Sequence, residues 1–129
     1  MTTYLITFPG DAMDHIPEEE MADVARAAHA VCQEAIEAGV YVLAGGVRRA
    51  SVVTSDGSVT DGSTPDAVSG VTIVDVPSRE EAVAWAAKIA TACRCPQEVR
   101  EVGFDPDLDV MVSEAADLRS RRTTPAVDG

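Results

Sequence analysis

The sequence predicts an α+β fold, an antiparallel sheet carrying two helices on one face. Three observations lead there. Short β-branched runs alternate with two long stretches of helical periodicity. An Asp56-Gly57 pair between Val53 and Val59 marks a hairpin in the middle of the chain. Segments of this length and order bury their apolar faces best as a sheet backed by helices.

The elements follow in order. Tyr4-Leu5-Ile6-Thr7-Phe8 reads as a strand stopped by Pro9-Gly10-Asp11. After a loop, Pro17 occupies the position of a first helical residue, where its missing N–H costs nothing. Glu18, Glu19 and Glu20 place negative charge at the favourable end of the helix dipole. Met21, Val24, Ala25, Ala28, Val31, Cys32, Ala35 and Ile36 then recur at helical spacing, and Gly39 caps the helix.

Val40 to Ala44 reads as a buried strand closed by Gly45-Gly46. The hairpin strands are Ala50–Thr54 and Val59-Thr60. Asp61 to Ser69 reads as a loop, and Gly70 to Val76 is the clearest strand. Ser78-Arg79-Glu80-Glu81 is a capping box that opens a second helix. Ala82, Trp85, Ala86, Ile89 and Cys93 form its apolar face. Gln97 to Val102 alternates and carries charge, as an edge strand does.

Asp107 to Arg121 has a helical pattern, with Leu108, Met111, Ala115 and Leu118 on one side. The tail from Thr123 is expected to be disordered. The boundaries therefore fall at 1–104 for the domain and 105–129 for a C-terminal extension.

The order β-α-β, hairpin, β-α-β closes into one ferredoxin-like antiparallel sheet with both helices on one face. The other face is left open, and an uncovered apolar face wants a partner. A homodimer packed sheet on sheet is the expectation.

Composition narrows the function. The 129 residues carry 22 acids against 10 Lys plus Arg, a formal charge of −12. Nucleic-acid binding rests on cationic contacts to phosphate and is disfavoured. No apolar run reaches membrane-spanning length, and no secretory signal opens the chain. The odd set Cys32, Cys93 and Cys95 suggests reduced thiols in a cytoplasm. The Cys93-x-Cys95 pair lacks the second pair a zinc site normally shows, so Cys93 reads as a packed small hydrophobe. No metal or cofactor is expected, since no cofactor motif is present.

The chain resembles the YCII-related domain family, in particular its DGPF branch. The match rests on Phe8-Pro9-Gly10-Asp11, on Glu19-Glu20-Met21 and Ala27-Ala28-His29-Ala30, and on Leu43-Ala44-Gly45-Gly46-Val47. It continues through Thr60-Asp61-Gly62 and Gly70–Val76 to Glu81-Ala82-Val83-Ala84-Trp85-Ala86-Ala87-Lys88-Ile89, the most specific part. It covers about residues 3 to 102, one domain length. The family's Asp-Gly-Pro-Phe becomes Asp61-Gly62-Ser63-Thr64 here. The resemblance implies a ferredoxin-like fold that dimerises into an α/β barrel with a cleft in each subunit, and a histidine–aspartate pair in that cleft. It implies no established activity.

His29 is the first candidate for chemistry. At about 100° per residue it falls on the shoulder of the first helix's apolar stripe, where a side chain can face a cleft. Asp11, just past the first strand, is its expected partner, because that strand should end near the start of the helix. An aspartate on one imidazole nitrogen fixes the tautomer and makes the other nitrogen a general base. The simpler alternative is a histidine that only ties loop to helix.

His15, with Asp11, Asp14 and His29, matches no metal-ligand spacing and reads as a solvated loop residue. Arg48 and Arg49 form a cationic spot able to hold a carboxylate or phosphate, although exposed arginines commonly pair with surface acids. Asp61 completes the candidate ligand-binding set, though Asp61-Gly62 is more commonly a turn. Ser51, Ser58 and Ser63 lack any nucleophile motif.

Two functions are consistent with these residues. One is a cofactor-free enzyme using His29 and Asp11 for acid–base chemistry on a small polar metabolite. The other is a non-catalytic binding or interaction module, which the Ser63-Thr64 departure favours. An open cleft with His29 hydrogen-bonded to Asp11 at its base would favour the first; a solvated His29 would favour the second.

Overall fold

The computed structural model describes residues 1–62 and 67–123. The elements are β1 (Thr2–Pro9), a 3-10 turn (Glu18–Glu20), α1 (Met21–Glu37), β2 (Tyr41–Gly46), β3 (Ser51–Val53) and β4 (Val59–Asp61). They continue with β5 (Val68–Val76), α2 (Arg79–Cys93), β6 (Glu98–Glu101) and α3 (Pro106–Thr123). The main sheet is antiparallel throughout, in the order β2-β5-β1-β6, and β3 pairs with β4 as a separate ribbon. This α+β arrangement is consistent with the ferredoxin-like fold expected from the sequence.

Strand alternation sorts the residues between the two faces. β1 runs against β5 with Tyr4 opposite Val74 and Ile6 opposite Thr72. One face therefore presents Tyr4, Ile6, Val74 and Val76 to the helices, and Ile6 and Val76 are wholly buried. From α1 come Val24, Val31 and Ala35, and from α2 come Ala82, Ala86, Ile89 and Cys93. Lys88 of α2 reaches Glu34 of α1 at 3.1 Å while sitting 5.0 Å above the Trp85 ring.

The opposite face carries Leu5, Val71 and Ile73, all half-buried, and Leu43, which is 52% exposed. The edge strand β6 is charged, with Arg100 reaching Glu98 at 3.3 Å.

Local chemistry sets the boundaries. The Ser78 hydroxyl accepts from the Glu81 N–H at 3.3 Å, as a capping box requires. The β3–β4 turn closes around Gly57, which has φ +89°. There the Asp56 carboxylate accepts from the Thr54 hydroxyl at 2.5 Å and from the Ser58 N–H at 2.9 Å. These bonds, the Thr54 hydroxyl foremost, lower the Asp56 pKa to about 2.

One local expectation is corrected. Pro17 is not the first residue of the long helix. Its φ of −59° and ψ of 141° lie outside it, and its carbonyl accepts from the Glu20 N–H at 2.9 Å, closing a 3-10 turn. The C-terminal helix forms where the sequence pattern indicates, with its apolar side exposed. Leu108, Met111 and Leu118 are all more than half exposed. Its start is fixed locally, by an Asp105 carboxylate that accepts from the N–H groups of Asp107 and Leu108 at 3.0 and 3.2 Å. Local capping rather than packing accounts for its position. The Ser63-Thr64 pair and the tail beyond Thr123 lie outside the described residues.

Candidate functional site

Between α1 and the sheet lies a cavity of about 450 Å³, a volume typical of small-molecule sites. Its origin is visible in the side chains. The α1 wall carries Met21, Ala25, Ala28 and His29, while β2 opposite contributes Ala44, Gly45 and Gly46. Small residues face small residues, and helix and sheet cannot fill the gap. A Cβ placed on Gly45 would meet no atom within 4 Å, and one on Gly46 would meet only the Ser69 carbonyl at 4.0 Å. Beside the cavity the sheet is tightly fitted. A Cβ on Gly70 would stand 3.0 Å from the Phe8 ring. Phe8 and Ile89 supply apolar walls, and Tyr41 is pinned by the Ala44 N–H donating to its hydroxyl at 3.1 Å.

His29 lines this cavity from the shoulder of α1 and is exposed. Asp11 does not line it. The loop after β1 is a chain of turns, with the N–H groups of Ala12, Asp14 and Ile16 donating to the carbonyls of Pro9, Asp11 and Met13. Ala12 and Ile16 turn inward and are buried, so Asp11, Asp14 and His15 turn out to solvent. Among the described residues, no hydrogen bond or ion pair joins His29 to Asp11. Nor is any group of three or more His, Cys, Asp or Glu side chains placed to hold a metal ion.

Arg48 and Arg49 lie in the loop joining β2 to β3. With Asp61 and Ser51 they line a second, open groove of about 740 Å³. The hairpin register sets Ser51 opposite Asp61, and the Ser51 hydroxyl donates to the Asp61 carboxylate at 3.1 Å. Neither arginine forms an ion pair among the described residues, so the pairing with surface acids usual for such side chains is not made. The structure thus brings Arg48, Arg49 and Asp61 into one groove and His29 into another cavity.

The three thiols are free. Burial raises the pKa of Cys32 and Cys95, and it pushes Cys93 up to about 11, helped by the neighbouring Cys95 and Cys32. Cys32 and Cys93 reach the cavity as protonated, apolar wall groups at neutral pH.

Sequence reasoning did not find Met13, Tyr41, Gly46 or Ser69 as cavity residues. The available signal was the facing of Ala25 and Ala28 against Gly45-Gly46, which becomes visible only once α1 is laid over β2. No helix among the described residues is long and apolar enough to cross a membrane. Comparison with protein-family models and with curated proteins finds no match.

Proposed function

We propose that this chain is a YCII-related, ferredoxin-like binding module of the cytoplasm that houses a small molecule between α1 and the sheet. The observation that carries this is the cavity of about 450 Å³ with an exposed His29 on its wall that has no hydrogen-bond or ion-pair partner among the described residues. A solvated histidine without an aspartate partner favours binding over catalysis. The open sheet face with Leu5, Leu43, Val71 and Ile73 supports a homodimer joined sheet on sheet into an α/β barrel.

The test is titration with the neutral fluorophore N-phenylnaphthylamine. Its emission should rise on binding and fall to background in Ala25→Phe, which fills the cavity from the helix side. Equal emission from both proteins, or none from the wild type, overturns the reading. Sedimentation that finds only monomer at micromolar concentration overturns the dimer.

A second reading is favoured by the placement of His29 on the cavity wall. It is cofactor-free acid–base chemistry on a small polar metabolite, with His29 as base and Asp11 orienting it in a rearranged loop. A turnover abolished by His29→Ala and reduced by Asp11→Asn supports it. A turnover that ignores both substitutions refutes it.

A further inference from the structure

The apolar cavity and the cationic groove are neighbours. They adjoin along the ends of three strands. Phe8 of β1 lines the cavity and Gly10 just beyond lines the groove; Gly46 of β2 lines the cavity and Val47 the groove. On β5, Gly70 lines the cavity and Val68 the groove, while Ser69 between them lines both. This shared wall is well fixed. The Ser69 hydroxyl donates to the Pro9 carbonyl at 2.8 Å, and the Val47 N–H donates to the Ser69 carbonyl at 3.0 Å. No side chain stands at Gly46 to divide the two spaces.

The chemistry of the two spaces differs sharply. The cavity is walled mainly by aliphatic, thiol and aromatic groups, with His29, Ser69 and Thr72 as its polar side chains. The groove offers two guanidinium groups without ion-pair partners among the described residues, on a chain of net charge −12 in which Arg26, Lys88, Arg94 and Arg100 each have an acidic partner. Asp61 shares the groove and offsets one of the two positive charges. Among the described residues, the groove's side chains therefore carry one net positive charge, which a single negative charge matches.

We infer that the ligand is an amphipathic monocarboxylate. Its apolar body fills the cavity between α1 and the sheet, and its carboxylate crosses beside Ser69 to Arg48 and Arg49. This rests on the proposed binding role of the cavity and adds the class of molecule bound. Guanidinium–carboxylate contacts are charge-assisted and directional, so they select the acid over its uncharged analogue.

The test is displacement of N-phenylnaphthylamine by decanoate and by decanol, in wild type, in the Arg48→Gln/Arg49→Gln double variant and in Gly46→Val. Both arginines are exposed, and the Gly46 position has room for a side chain, so folding is retained. Wild type should prefer decanoate roughly tenfold at low salt, with the preference shrinking as salt rises. The double variant should bind both ligands equally. Gly46→Val, which places a side chain at the passage, should lower decanoate affinity toward that of decanol. Equal affinities in the wild type, or a preference that survives loss of both arginines, overturn the carboxylate assignment while leaving the cavity's binding role intact. If neither ligand displaces the fluorophore and the fluorophore itself fails to bind, both readings fall together.

Discussion

Phe8 packs its ring against the backbone of Gly70, its cross-strand partner, so closely that a Cβ on Gly70 would stand 3.0 Å from one ring carbon and 3.2 Å from another. The ring also forms part of the cavity wall. Gly70→Ala should push Phe8 toward the cavity. The strain of inserting a methyl into a close contact predicts a loss of about 1 kcal/mol in chemical denaturation. Probe affinity should fall in the same variant. Unchanged stability and affinity would show that the ring has room to move.

Stability should be distributed very unevenly along the chain. Ile6 is wholly buried between β5, β6 and the helices, whereas Leu118 is 54% exposed on α3. Ile6→Ala removes buried methyl groups and leaves a cavity, at a cost of about 3 kcal/mol. Leu118→Ala should stay within about 0.5 kcal/mol of wild type, as surface substitutions do. Urea denaturation of both variants checks the contrast. A large loss from Leu118→Ala would mean that α3 is covered in solution, for instance by a second copy of the chain.

The Cys93 thiol gives a pH dependence with a definite sign. Burial raises its pKa in the folded chain to about 11, above the ordinary thiol value. The folded state thus holds its proton more tightly than the unfolded chain does. The resulting stability is fully present below the unfolded thiol pKa of about 8.5 and is lost as pH rises through about 11. Cys93→Ala should flatten part of the alkaline fall in the melting temperature. Labelling of wild type by a thiol reagent at pH 8 should be slow until denaturant is added. An alkaline melting profile identical in wild type and Cys93→Ala contradicts the assignment.

The sheet was legible because its signals are local. The alternation from Gly70 to Val76 and the Asp56-Gly57 turn each lie within one short segment, and both appear where expected. Arg48, Arg49 and Asp61, singled out one by one in the sequence, line one groove because the hairpin returns the chain to its starting point. The cavity was not. It arises where Ala25 and Ala28 lie across from Ala44, Gly45 and Gly46, segments separated in sequence and joined only by how α1 crosses β2. Gly45-Gly46, read as closing a strand, are the last two residues of β2. The solvent-facing position of Asp11 was hidden for a related reason. Three successive turns, with Ala12 and Ile16 drawn into the core, decide its direction, and the nearness of strand end to helix start does not.

The N-cap of α2 links sequence to stability most directly. Ser78 sits in extended geometry at φ −147° and ψ 159°, and its hydroxyl accepts from the Glu81 N–H at 3.3 Å. Ser78→Ala leaves that N–H to solvent and should cost about 1 kcal/mol. Ser78→Asp keeps an acceptor and adds a negative charge where the helix dipole favours one, so it should restore wild-type stability at neutral pH. Because α2 supplies Ala82, Ala86, Ile89 and Cys93 to the core, its fraying should appear as loss of the whole fold rather than of one turn. Denaturant melts followed separately by Trp85 fluorescence and by helical circular dichroism should therefore coincide in the alanine variant. Separate transitions would show that α2 unfolds on its own and that the cap stabilises the helix without stabilising the domain.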